Sequence, residues 1–332
     1  SDNEDEDEDE DEYEKDKEIL KKEAEFEEAM KSEIIIKEQT KEESDYEVLN
    51  YKKQQSDVWI NKFMKSNKYS ILDNEGGGDC FFAVLRDALK MRNPKKYKSL
   101  SVKNIRMNLA NQADDIILAN YKELFGFYYN ELTDGKSKIK ESKDSHNQYK
   151  SLITASNSSE EKKKLLLNAK SNIEKLSDLS EQSKELSVLA NEFKFMKDVK
   201  TLDDLKEVIK TNAYWADEWA ITTLERLYNV KFIILSKDNF LEGETDNILK
   251  CGGLDSKIEE KGIFEPDFYI IADYEQDIHY KLITYDKNIN RSAFKFKELP
   301  YRIKELILLK CMEKLAGPYA FIPDFKEFAT AH

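Results

Sequence analysis

The sequence predicts an α+β protein, a small sheet flanked by many helices. Two observations carry this reading. Glycine and proline are scarce, 10 and 5 in 332 residues, which favours long helices over an all-β sandwich. Helical periodicity dominates the first two thirds of the chain, whereas short β-branched and aromatic runs collect after Trp215.

The elements follow in order. Residues 2–16 hold twelve acidic residues and one lysine, so most of the net charge of −14 sits there and the remainder is close to balanced. Like charges at that density repel, and a disordered acidic tail is expected over 1–16. From Lys17 to about Glu43, Ile19, Leu20, Phe26, Met30 and Ile34 recur at mostly helical spacing, and Ser44 and Asp45 interrupt the pattern. A second helix is expected over Asp57–Lys65 with Asp57 as its N-cap. Tyr69–Leu72 is short and apolar. It leads through Gly76-Gly77-Gly78 to Cys80 and a buried helix bearing Phe81, Phe82, Val84, Leu85, Ala88 and Leu89. Further helices are expected over 101–125, 159–175, 179–196 and Leu202–Ile209, two of them forming a protruding hairpin, with a mobile loop at Ser142–Ser159. Beyond Trp215 come an amphipathic helix over Asp217–Tyr228 and strands at Val230–Leu235, Phe268–Ala272, Tyr280–Tyr285 and Phe294–Phe296. Gly252, Gly253 and Gly262 mark loops. A closing helix spans 299–315, with Pro300 in its first turn and Gly317-Pro318 past its end.

Composition excludes several classes. The balanced remainder is not a polybasic nucleic-acid binder, and no apolar run approaches the roughly 18–20 residues of a membrane span. No signal peptide opens the chain, and a start at Ser1 rather than Met fits a processed or truncated product. Hydrophobics at 40%, with 17 Tyr and 17 Phe, argue against global disorder. Cys80, Cys251 and Cys311 are an odd and sparse set, so free thiols and a reducing compartment are expected, with Cys251 in a loop and Cys311 in the core. Scattered histidines argue against zinc, and the triple glycine lacks the lysine and spacing of a phosphate loop, so no metal or cofactor is expected.

The chemistry concentrates at Cys80. Glycines at 76–78 permit a tight loop whose N–H groups can converge on one point. A thiol at a helix N-terminus sits in a positive potential that favours thiolate, and the same N–H groups can stabilise an oxyanion at an acyl carbon. Such chemistry needs a base. Of the three histidines, His146 falls in a polar stretch and His332 at the C-terminus, which leaves His279, just before a strand. The plain alternative is that Cys80 is a buried helix residue and His279 merely flanks a strand.

Gly-Gly-Asp-Cys-Phe-Phe at 77–82 resembles the cysteine loop of the ovarian-tumour (OTU) cysteine proteases, commonly Asp-Gly-Asn-Cys-Leu-Phe. Tyr214-Trp215-Ala216-Asp217-Glu218-Trp219-Ala220-Ile221, then Leu224-Glu225 and Val230–Leu235, resembles the family's tryptophan, helix and strand segment. Asp277-Ile278-His279-Tyr280 with Leu282-Ile283 resembles its histidine strand. The resemblance covers roughly 69–286, and the Ile/Asn/Lys-rich texture with long charged insertions is similar to the OTU proteins of giant DNA viruses.

The resemblance implies a papain-like OTU fold over 67–290 with a helical insertion at about 136–200. An N-terminal helical extension at 17–66 and a C-terminal one at 291–332 would pack around it. It implies a monomeric deubiquitinase acting on ubiquitin or polyubiquitin, without nucleic acid or membrane, in the cytoplasm, or in a host cytoplasm or virion for a viral protein. Cys80 would be the nucleophile and His279 the base. The N–H groups of Cys80 and the Gly77, Gly78, Asp79 loop would form the oxyanion hole. Trp215, Ile278 and Tyr280 would line the channel for the ubiquitin tail. Two positions depart from the pattern: the family's Asp three before the nucleophile is Gly77, and the acidic or amide residue often found two after the histidine is Lys281. The third catalytic member is therefore open among Asp73, Asn74, Asp79 and Asp277, a residue of the N-terminal helices, or none. An inactive ubiquitin-binding scaffold on the same fold is the alternative.

Overall fold

The computed structural model describes residues 17–27, 30, 33–276, 278–313 and 317–332; the acidic run at 1–16 and Asp277 lie outside them. The described residues up to Leu109 and from Trp215 onward form one compact unit, and Ala110–Tyr214 form another. The class is α+β with one five-stranded mixed open sheet.

In the first unit, residues 17–27 are helical, but the chain is extended from residue 34 to Thr40 and turns helical again as α1 (Lys41–Asn50). This shifts the expected break. The three isoleucines at 34–36 favour extended backbone, and Thr40 with Glu43 forms a capping box that starts α1, so Ser44 and Asp45 lie inside a helix. The extended segment is stitched to the far end of the chain: Ile36 N–H donates to Glu298, Tyr301 N–H donates to Gln39, and Lys304 pairs with Glu38. Helix α2 (Trp59–Met64) is capped by Val58; Asp57, expected as its cap, instead accepts from Tyr51 Oη and Gln54 N.

Strand β1 (Tyr69–Leu72) precedes the buried helix α3 (Cys80–Arg92), and α4 (Val102–Ala110) follows. After Trp215 come α8 (Glu218–Tyr228), β2 (Val230–Ser236), the short α9 (Lys237–Leu241), β3 (Leu249–Lys250), α10 (Ser256–Lys261), β4 (Phe268–Glu275), β5 (His279–Tyr285), α11 (Tyr301–Cys311) and α12 (Pro323–Ala331). Four of these differ from expectation. Asp217, expected as the first residue of its helix, is instead the N-cap of α8. Residues 294–296 make only an isolated bridge, between Phe294 and Tyr269. Pro300 stands just ahead of α11. Cys251, at the end of β3, and Cys311, at the end of α11, form a disulfide with Cα atoms 5.5 Å apart, leaving Cys80 as the free cysteine and removing the argument for a reducing compartment. The reason is tertiary: β3 runs beside α11, where Lys310 Nζ donates to the Leu249 carbonyl at 2.6 Å.

The strand order is β1-β5-β4-β2-β3, antiparallel except for the parallel β2–β4 pair. Both faces are covered, which explains the continuous apolar runs in β2 and β4. On one face Phe81 of α3 packs against Phe232 and Tyr280, ring centroids 4.6 and 5.0 Å away. On the other, Ile233, Leu235, Ile271 and Ile283 join Trp59, Ile303, Ile307 and Phe325 in one core. Each fully buried Phe or Leu of α3 contributes roughly 1.5–3 kcal/mol, so the N-terminus of that helix is firmly placed against the sheet.

The second unit contains α5 (Asp115–Ala155), α6 (Ser159–Glu192) and α7 (Leu202–Ile209). The helix expected over 101–125 is two helices, because Asp114 caps a new one by accepting from Ile117 N–H. The two helices expected at 159–196 are one. The loop expected at Ser142–Ser159 is helical to Ala155, and Ser142 is buried where the two long helices meet, bonded both ways to Asn172. With no glycine or proline from 136 to 210, nothing in the chain stops these helices. Among the described residues no helix is long and apolar enough to cross a membrane.

Candidate functional site

The end of β1, the start of α3 and the start of β5 meet at one place. β1 and β5 pair with Leu72 opposite Leu282, so Asp73 follows directly toward the level of Lys281 and His279. The cysteine loop then turns through Gly76 (φ 72°) and Gly77 (φ 59°), both in the left-handed region that only glycine adopts without strain. A Cβ on Gly76 would find only an ordinary 3.8 Å contact, with His279 Cε1, so conformation rather than space requires glycine there. Gly77–Asp79 form a single 3-10 turn that runs into α3.

Cys80 is buried, and its Sγ lies 3.7 Å from the Ile278 carbonyl, to which the thiol donates. Burial pushes the thiol pKa up, and the backbone N–H groups of Tyr280, Phe81 and Cys80 only partly offset this. The helix N-terminus was expected to favour thiolate; burial of the thiol acts in the opposite direction. No hydrogen bond joins Cys80 to His279. The Cys80 N–H, expected to bind an oxyanion, donates to Gly77 O in this structure.

His279 Nε2 lies 3.0 Å from Asp73 Oδ1, and that hydrogen bond holds the Asp73 carboxyl below its ordinary pKa. With Nε2 engaged, Nδ1 is the ring nitrogen left for a proton transfer. Of the three described candidates for the third position, Asp73 touches the imidazole; Asp277 lies outside the described residues. Asn74 instead ties the two motifs together: its Nδ2 donates to Tyr280 O (2.8 Å) and Cys80 O (3.4 Å), while its Oδ1 accepts from Gly76 N–H. Asp79 is held by Arg106. Lys281 is occupied by Glu275 at 2.7 Å. Ile278 is 52% and Trp215 40% exposed, and the half-buried Tyr280 ring packs against Phe81 and Tyr274. His146 belongs to α5, and His332 stacks on Phe328, so neither takes part. Among the described residues no group of three or more His, Cys, Asp or Glu could hold a metal.

Sequence reasoning missed Arg106 and Asp273. Asp273 of β4 is fully buried opposite Lys281, and neither of its oxygens accepts a hydrogen bond; Trp59 Nε1 beside it donates none. Burial, with the Glu275 charge added, pushes its pKa to about 6, while the Lys237 and Lys281 charges pull the other way. A carboxyl raised in the fold stabilises it while protonated, and this is lost as pH rises from about 4 through 6. Asp273→Asn is therefore expected to stabilise the protein by up to about 2–3 kcal/mol at neutral pH and by almost nothing near pH 4. Urea denaturation at the two pH values checks this.

Searches against protein-family models, curated proteins and solved structures each returned no match for this chain.

Proposed function

We propose that the protein is a papain-like cysteine protease of the OTU type that hydrolyses the bond after the C-terminal glycine of ubiquitin. One observation carries the reading: Asp73 holds His279 through Nε2 in a chain whose only free cysteine begins a buried helix beside the histidine strand. In this mechanism His279 Nδ1 takes the Cys80 proton as Sγ attacks the carbonyl carbon. The N–H groups of the Gly77–Asp79 loop receive the charge on oxygen. The imidazolium then protonates the leaving lysine amine, releasing it and leaving a thioester, and a water deprotonated by His279 hydrolyses that thioester. Burial raises the Cys80 thiol pKa, which favours proton transfer to the base during attack over a thiolate formed beforehand. A fluorogenic ubiquitin conjugate tests the proposal: turnover supports it, and no turnover by folded protein contradicts it. The cytoplasmic setting expected from the sequence is not carried into the proposal, because the Cys251–Cys311 disulfide bears against a strongly reducing compartment.

A second reading, an inactive ubiquitin-binding scaffold, draws on the raised thiol pKa and the engaged Cys80 N–H. It predicts ubiquitin binding without turnover.

Asp73→Ala is expected to lower kcat/KM by roughly 10–100-fold, the range seen where a hydrogen-bonded carboxylate orients a metal-bound imidazole. Lys281→Asp should not raise the rate, because Asp73 already fills the orienting role and Glu275 would lose its partner. Steady-state kinetics of the two variants check both.

A further inference from the structure

Arg106 of α4 is the largest of the fully buried side chains, and a buried guanidinium is costly unless its donors are satisfied. Its satisfaction comes from the cysteine loop. Nε and Nη2 reach Asp79 Oδ1 at 2.9 and 2.8 Å, Nη2 also reaches the Gly78 carbonyl at 2.7 Å, and the guanidinium lies 4.1 Å from the centre of the Phe82 ring. Residues 78, 79 and 82 bracket the nucleophile.

The Gly78–Asp79 peptide is planar and trans, so a carbonyl drawn to Arg106 turns the Asp79 N–H the opposite way. Gly76 and Gly77 give this stretch the freedom to turn over, and the bonds that Arg106 makes to the Gly78 carbonyl and to Asp79 brace the peptide from outside the loop. Resting on the function proposed above, we infer that Arg106 is a positioning residue: it fixes the Gly78–Asp79 peptide in the one orientation in which its N–H serves the oxyanion. Arg106 is buried behind the loop and presents nothing to a substrate itself, so the effect belongs to the chemical step.

The test compares Arg106→Met and Arg106→Lys with the wild type, per reactive thiol. Active-site titration counts folded molecules, iodoacetamide measures thiol reactivity, and a fluorogenic ubiquitin conjugate gives kcat and KM. In Arg106→Met, kcat per titrated thiol should fall about 10²-fold, as for a comparable misplacement of catalytic groups, with KM and the alkylation rate nearly unchanged because alkylation forms no oxyanion. Arg106→Lys keeps the charge but not the fork and should recover part of the loss. A merely structural role would lower the melting temperature and the number of titratable thiols while leaving kcat per thiol intact; that result overturns the inference. Should Arg106→Met fail to fold, an unchanged kcat per thiol in folded Arg106→Lys overturns it equally. Absence of hydrolysis by the wild type overturns the function itself, and the positioning role with it.

Discussion

Cys80→Ala should lower hydrolysis of a ubiquitin conjugate by about 10⁵–10⁶-fold, the scale on which removing a nucleophile from an acting unit is felt. Nothing else in the structure can replace it: Cys251 and Cys311 are tied to each other, and Cys80 is the free cysteine at the meeting point of the loop and the histidine strand. Sγ makes one long hydrogen bond, to Ile278 O, so its loss should leave the fold and ubiquitin binding close to wild type. Melting temperature and a binding isotherm for ubiquitin, read beside the kinetics, separate loss of chemistry from loss of structure. Wild-type-like turnover would end the assignment of Cys80.

His279→Ala should cost at least about 10³-fold in kcat/KM. The residual activity should carry a signature of its own. Burial holds the Cys80 thiol above its ordinary pKa, so without the imidazole the nucleophile forms only as solution hydroxide removes the proton. The variant's rate should therefore climb steeply from neutral toward alkaline pH, whereas the wild type, whose base takes the proton during attack, should climb less. A pH–rate comparison of the two reads this directly. A variant with the wild-type rate and profile would remove His279 from the mechanism.

What could be read in the chain follows from how local each signal is. The glycine loop, Cys80 and the apolar face of its helix are contiguous, and their physics is legible in ten residues. His279 was reachable by elimination among three histidines. Asp73 could be named but not chosen, because its contact with His279 depends on the β1–β5 register that sets Leu72 opposite Leu282. Arg106 gave no signal: one arginine in an amphipathic helix looks solvated until the fold buries it against Asp79. The Cys251–Cys311 pair spans 60 residues and needs β3 beside α11. The stretch Ser142–Ser159 shows the opposite case: its composition is polar, yet with no helix-stopping residue it stays helical to Ala155.

The most direct test is a ubiquitin probe carrying an electrophile in place of its C-terminal carboxylate, followed by intact mass and peptide mapping. The account predicts one covalent adduct per molecule, on Cys80, absent from Cys80→Ala and slowed in His279→Ala and Asp73→Ala. Folded wild-type protein that forms no adduct, or forms one on another residue, would contradict it.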